Sequence, residues 1–172
     1  MKVVDNMSIQ PILAMLSNLE KMHTSLLSLA HEKTMLIKEN NTAKLDQLLK
    51  DEQAHIAAIN QIENQRQLAV TDYLNKQGRN VSGNFSISDI IQIIESPTEK
   101  QALTEAKDRL LHVIHDLKWQ NDLNQKLTFQ SLQFVNLSLD MVRPQQDAMN
   151  YSKNEIQGTK ESKVRPAFDS KA

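Results

Sequence analysis

Two short strings in this sequence have the spacing of metal-binding helices: Glu-Lys-Met-His at residues 20–23 and Glu-Gln-Ala-His at residues 52–55. A carboxylate and an imidazole three residues apart lie on one face of a helix, and two such pairs on neighbouring helices bind the metals of carboxylate-bridged di-metal proteins. The strings therefore raise the hypothesis of a di-metal centre. Such a centre requires two helices that bring both strings to the same level.

The helices predicted around these strings place them at different levels. A short polar junction at residues 39–42 separates two long amphipathic segments, which implies an antiparallel helical hairpin. In that hairpin His23 faces residue 59 and His55 faces residue 27, so the strings are offset by roughly 10 Å along the axis. Metals in a bridged site lie about 3.5–4 Å apart. The spacing thus predicts histidines on helix flanks, and no metal site.

Composition and motifs argue against several other classes of function. His112 and His115 share one face but border an apolar stripe, and the chain has no Cys, no Gly-rich phosphate loop and no GxSxG elbow. We therefore expect neither an enzyme nor a cofactor. Lys and Arg total 20 against 21 Asp and Glu, so no basic face for nucleic acid is expected. The chain also lacks a long apolar run, which predicts a cytoplasmic protein without a membrane span.

The same numbers favour an all-α fold. With 3 Gly, 4 Pro and 4% aromatic residues, the 172-residue chain has little turn chemistry for a sheet. We predict a long antiparallel helical hairpin, a short connecting helix and a third long C-terminal helix in a coiled-coil-like bundle. We expect residues 1–143 to form the helical bundle domain and residues 144–172 to form a disordered tail. The predicted boundaries are a cap at Ser8, a break at Asn40–Asn41, a cap at Thr42, an end at Gly78, a Ser86–Asp89 start, a Thr98–Gln101 capping box and an end at Val142.

The last predicted helix is apolar on two sides. Leu103, Ala106 and Leu110 begin an ordinary core stripe, which the pattern extends to Leu132, Val135, Leu139 and Val142. A second sector lies nearly opposite and contains Trp119, Leu123, Leu127, Phe134, Leu137 and Met141. Since the hairpin covers one side only, the other side requires the short helix and the loop around Phe85, a second copy, or a client protein. Asn121, Asn124 and Asn136 interrupt this pattern with groups that need partners if buried, so we expect them to set the register of the helix.

The hairpin sequence resembles the FlgN family of flagellar type III export chaperones. The stretch SLLSLAHEKTMLIKENNTAKLDQLLKDEQAHIAAINQIENQR, residues 25–66, is similar to the family's Leu-rich helix, Glu-Lys pair, polar turn and second helix. The matching residues are Glu32, Lys33, Leu45, Leu48, Leu49, Glu52, Gln53 and Arg66. The stretch NDLNQKLTFQSLQFVNLSLDMV, residues 121–142, also resembles the family's last helix, and Tyr151 falls where a short Tyr motif follows.

The resemblance implies a cytoplasmic chaperone that binds flagellar hook-associated proteins, prevents their premature assembly and delivers them to the export apparatus. The alternative is a structural coiled-coil protein that forms a homodimer through its C-terminal helix. Membrane binding is disfavoured because the apolar side lacks flanking Lys and Arg clusters. The residues expected to bind the partner are Trp119, Leu123, Leu127, Phe134, Leu137, Met141, Tyr151 and Phe168.

Overall fold

The computed structural model describes residues 8–79, 83 and 85–143, and all regular structure in this part of the chain is helical. Four helices follow one another: α1 (Gln10–Lys38), α2 (Thr42–Lys76), α3 (Ile87–Ile93) and α4 (Pro97–Val142). The predicted all-α fold, with a hairpin, a short helix and a third long helix, is confirmed. Residues 144–172 lie outside the described residues, so the predicted domain division at residue 143 stays a prediction.

The turn between α1 and α2 is built by two asparagines. Asn40 adopts φ 52°, a left-handed conformation that Asn tolerates better than most residues. The Asn41 side chain then accepts a hydrogen bond from the Lys44 N–H at 3.2 Å and caps α2. The prediction that Thr42 caps this helix is wrong by one residue, because Thr42 is already the first helical residue. Lys33 pairs with Glu52 across the hairpin, which confirms its antiparallel register.

The predicted end of α2 at Gly78 is confirmed. Gly78 adopts φ 73°, the left-handed conformation in which glycine carries no steric cost. The N–H of Arg79 donates to the Leu74 carbonyl at 3.1 Å, so the chain folds back over the last turn as helices that end in glycine commonly do.

The short helix and the last helix begin with different caps. Ser86 and Asp89 form the predicted capping box, in which each side chain bonds to the other residue's backbone N–H. Helix α4 begins at Pro97, one residue before the Thr98 that was predicted to cap it, since proline at the first helical position loses no hydrogen bond. Ser96, whose carbonyl accepts from Lys100, precedes it, so the predicted Thr98–Gln101 capping box is wrong. Likewise Ile9, rather than Ser8, precedes α1.

The core has two parts that differ in the number of helices that build it. All four helices contribute to the larger cluster, which includes Ile12, Leu74, Ile90 and Leu103, each at most 1% exposed. The smaller cluster consists of Leu26, Ala30 and Leu117 with a few half-buried neighbours, and α3 does not contribute to it. The larger cluster is therefore built by four helices, whereas the smaller cluster is built by α1, α2 and α4 alone.

The chain divides into two units, residues 1–134 and residues 135–172. The first contains the hairpin, α3 and α4 as far as Phe134. The described part of the second is the remainder of α4, and its side chains up to Arg143 are exposed except for the half-buried Ser138. Apolar side chains are common among them.

Candidate partner-binding surface on α4

A layer of three buried polar side chains joins α4 to α1. Gln120 donates to Thr34 Oγ1 at 2.6 Å, and Thr34 Oγ1 lies 2.6 Å from Asn124 Oδ1. The Asn124 amide in turn donates to the Ala30 carbonyl at 2.7 Å. Gln120 and Asn124 are each 3% exposed, and these bonds satisfy groups that would otherwise be costly to bury. The expectation that a buried Asn sets the register of this helix fits Asn124; Asn121 and Asn136 are exposed.

This layer corrects the predicted core stripe of α4. The buried positions proceed by steps of three and four through Gln120 and Asn124, and the next such steps lead to Leu127 and Ser131, which are half-buried. The sequence pattern had instead extended the core to Leu132, Val135, Leu139 and Val142. Those four side chains are between 48% and 80% exposed, so that extension is wrong. The error arises because the core positions at 120 and 124 are polar and do not stand out as hydrophobic.

The register between α1 and α4 explains where the exposed stretch begins. The two helices run in the same direction, since Glu20 pairs with Arg109 and Thr34 with Asn124, pairs separated by 89 and 90 residues. Residue 128 is therefore level with Lys38, where α1 ends. Phe129 and Leu132 lie beyond that level, and they are 60% and 59% exposed. The exposed apolar stretch that starts at Phe129 thus lies beyond the level at which α1 ends.

Most of the predicted partner-binding residues on α4 are exposed. Trp119 is 63% exposed, Phe134 70%, Leu137 60% and Met141 85%, whereas Leu123 and Leu127 are half-buried. Tyr151 and Phe168 lie outside the described residues. The alternative in which α3 and Phe85 cover this side of α4 is wrong, because both pack into the larger core cluster.

Sequence reasoning missed Phe129, which is as exposed as the residues it named. It falls between the two apolar sectors of α4, so a search by helical sector passes over it. Its signal was an aromatic residue in a stretch where only Lys126 and Asp140 carry charge between Leu123 and Val142.

Phe129 also lines an open groove between α1, α2 and α4. The groove has a volume of about 470 Å³, and its apolar walls include Leu26, Ile56 and Leu132. Ile56 is 49% exposed. The groove also contains the Lys33–Glu52 ion pair, whose N–O distance is 2.9 Å and whose side chains are 22% and 14% exposed. Because the two charges neutralise each other, the groove favours apolar and uncharged polar groups.

The histidines of the Glu-x-x-His strings hydrogen-bond within their own helices and, for His55, across the hairpin to α1. His55 Nε2 lies 2.8 Å from Ser25 Oγ, and its Nδ1 lies 2.8 Å from the Asp51 carbonyl. His23 Nδ1 lies 2.7 Å from the Leu19 carbonyl. Within residues 8–79, 83 and 85–143, no three His, Asp or Glu side chains are grouped in a way that could bind a metal ion. In the same residues no helix has the length and apolarity to cross a membrane.

Comparison with known proteins identifies the family. The family model for the FlgN protein matches residues 7–156. The chain belongs to the FlgN family. The chain is also 36% identical over 167 residues to the uncharacterized protein YvyG of Bacillus subtilis strain 168, an alignment that covers 96% of this chain and all of the relative. No solved structure matches. FlgN proteins are flagellar export chaperones and not a family of enzymes, so membership supports a general role in flagellar export.

The residues that carried the FlgN resemblance have structural roles in the hairpin. Lys33 and Glu52 form the ion pair across α1 and α2. Leu48 is 4% exposed and packs near the turn, while Arg66 is 7% exposed and pairs with Glu63. Part of the FlgN signature in residues 25–66 therefore stabilises the hairpin, while Glu32, Leu49 and Gln53 are exposed. The exposed apolar side chains from Phe129 to Val142 lie on α4, outside residues 25–66.

Proposed function

We propose that this FlgN-family protein is a cytoplasmic chaperone that binds flagellar hook-associated proteins before export. One observation carries the proposal beyond family membership: after Thr128, α4 exposes apolar side chains in a stretch with a single charged residue, Asp140. Exposed apolar surface of this kind marks sites of protein interaction. A chaperone for an assembly protein needs such a surface to cover the part of its client that would otherwise assemble.

The client is held, in this proposal, as an amphipathic helix against α4. Apolar side chains of such a helix pack against Trp119, Phe134, Leu137 and Met141, with Leu123 and Leu127 at the centre, in the way that helices dock into grooves. Tyr151 and Phe168 in residues 144–172 are proposed to add contacts. The bound client is kept from assembling early and is brought to the export apparatus. Binding and release suffice for this role, which requires no catalytic group or cofactor.

The groove between α1, α2 and α4 provides a further place for client side chains. Its apolar walls at Ile56, Phe129 and Leu132 are accessible, and the neutral Lys33–Glu52 pair disfavours charged groups. A client helix there would supply the fourth helix that this level of the bundle lacks. We therefore expect the bound segment to be poor in charge on the side that faces the chaperone.

The proposal is tested by co-purification with hook-associated proteins from the same organism. The double substitution Phe134→Ser with Met141→Ser removes two exposed apolar contacts, and we expect client capture to fall by at least about tenfold. Helical content should not change, because neither side chain is buried. The matched control is Leu68→Ser on α2, where the side chain is 65% exposed and distant in sequence from α4.

Two results would contradict the proposal. Undiminished capture by the double variant would show that this side of α4 is not the binding surface. Failure of the unaltered protein to capture any hook-associated protein would reject the client class itself.

A further inference from the structure

Six positions on α4 repeat with the spacing of a coiled-coil seam. Leu123, Leu127, Gln130, Phe134, Leu137 and Met141 follow one another by alternate steps of four and three residues along a single helix that continues to Val142. This is the heptad spacing with which helices pack side by side. Five of the six residues are apolar. The stretch is therefore patterned to pack against another helix along its whole length.

The two charged residues of this stretch flank the seam in a self-complementary way. Lys126 and Asp140 each lie directly before a seam residue, Leu127 and Met141, and they are two heptads apart. Both side chains are exposed, and neither forms an ion pair with another residue in the described part of the chain. When two copies of such a helix pack antiparallel, residues at this heptad position in one copy face residues at the same heptad position in the other copy. Lys126 of each copy then faces Asp140 of the other.

The antiparallel arrangement also aligns the apolar positions. With the two-fold axis level with Leu132, Leu123 packs against Met141 of the second copy and Leu127 against Leu137 of the second copy. Gln130 then packs against Phe134 of the second copy. In a parallel arrangement the flanking Lys126 would face Ser131 of the second copy, and no ion pair would form. The charges thus distinguish one orientation from the other.

We propose that two copies of this protein associate through an antiparallel pairing of α4 along the Leu123–Met141 seam, with two Lys126–Asp140 ion pairs between the copies. The second copy covers apolar side chains of α4 when no client is present. The inference goes beyond the proposed function and concerns the protein by itself. Its tests contain no client, so their failure leaves the proposed function standing, and loss of client capture leaves the pairing standing.

Cysteine cross-linking of the full chain tests the orientation, because the chain has no cysteine of its own. Gln133 flanks the seam near the two-fold axis, so the two copies of this residue face each other in the antiparallel pair. The Gln133→Cys variant should therefore form a disulfide-linked dimer under mild oxidation. The two Met141 residues lie about 27 Å apart in the same arrangement, so the Met141→Cys variant should remain uncross-linked. Cross-linking of both variants, of neither, or of Met141→Cys alone overturns the proposal.

Charge reversal tests the ion pairs. Sedimentation equilibrium of the full chain in the micromolar range should show a monomer–dimer equilibrium. Lys126→Asp or Asp140→Lys alone should raise the dissociation constant by about tenfold, because each places like charges opposite each other twice. The double variant Lys126→Asp with Asp140→Lys should restore the dimer to within about threefold of the original. The proposal is overturned if the unaltered protein is monomeric, or if the dissociation constant of the dimer does not change with these substitutions.

Discussion

Thr34 Oγ1 on α1 lies 2.6 Å from Asn124 Oδ1 on α4, although ninety residues separate them in the chain. The bond is one of a connected set that also includes Gln120 and the Ala30 carbonyl, and it is buried between the two helices. Hydrogen bonds require a defined geometry, so only one alignment of α4 on α1 satisfies all these groups. This alignment determines which residues of α4 lie beyond the end of α1.

The first prediction concerns this polar layer. Asn124→Leu should lower the free energy of unfolding by about 1–3 kcal/mol, since it removes the buried side-chain oxygen that accepts from the Thr34 hydroxyl and the amide that donates to the Ala30 carbonyl. The measurement is urea denaturation followed by circular dichroism. Asn121→Leu is the matched control, because Asn121 is exposed and its substitution should change stability by less than about 0.5 kcal/mol. Equal effects of the two substitutions would contradict a structural role for the layer.

The second prediction concerns the pH dependence of Glu63. A hydrogen bond from the Arg66 guanidinium holds the pKa of Glu63 below its ordinary value of 4.5, against the opposing effect of partial burial. A lowered pKa in the folded protein means that the ionised carboxylate stabilises the fold at pH values above 4.5. This stabilisation is lost as the pH falls through the lower pKa of the folded protein. Arg66, which is 7% exposed, then loses the carboxylate with which it pairs.

Glu63→Gln should therefore be less stable than the unaltered protein at neutral pH, and the difference should shrink as the pH falls below 4.5. Denaturation midpoints measured between neutral and acid pH follow this difference. Glu32→Gln, at an exposed position on α1, serves as the control and should give a small difference at every pH. A Glu63→Gln effect that stays constant with pH would exclude the carboxylate charge as its cause.

The third prediction compares two ion pairs that differ in exposure. Glu52→Gln removes the partner of Lys33 in the groove, where both side chains are less than a quarter exposed, and should cost about 1–2 kcal/mol of stability. Asp46→Asn removes the partner of Lys50 at a site where the side chains are 65% and 70% exposed, and should cost less than about 0.5 kcal/mol. Thermal and urea denaturation measure both. The reverse order of the two costs would contradict the assigned role of the Lys33–Glu52 pair.

The fourth prediction concerns how α3 is anchored. Ile90 is fully buried among residues from the other helices, so Ile90→Ala should destabilise the fold by about 2–4 kcal/mol through lost burial and a remaining cavity. Leu68→Ala, at a side chain that is 65% exposed, should change stability by less than about 0.5 kcal/mol. Urea denaturation of the two variants provides the comparison. A neutral Ile90→Ala variant would mean that α3 contributes little to the core.

Periodicity and cap chemistry predicted the helices well. Gly78 and the Ser86–Asp89 box were recognised because each residue type has a local conformational preference that the surroundings do not override. The start of α4 was misplaced because two local patterns compete at this point. Ser96 lies directly before Pro97, which suits the first helical position, while Thr98 and Gln101 also fit a capping pattern. Local rules allowed both starts, and the rest of the chain selected between them.

The surface of α4 was predicted in part. The sequence indicated that Trp119, Phe134, Leu137 and Met141 form an apolar side, but it could not reveal that α1 ends level with residue 128. That level depends on Thr34 and Asn124, a contact between residues far apart in the chain. Polar residues in core positions carry no hydrophobic signal, so periodicity alone assigned the wrong continuation to the core stripe.

The turn at Asn40 and Asn41 determines how much of α4 extends beyond the hairpin. Because this turn ends α1 at Lys38, insertion or deletion of a helical turn in the hairpin arms would change how many apolar residues of α4 are left uncovered. If α4 binds a client as proposed, the length of the client segment that it covers would thus change without any substitution on α4. Hairpin length and α4 sequence would then be two independent variables that determine which client a related chain binds.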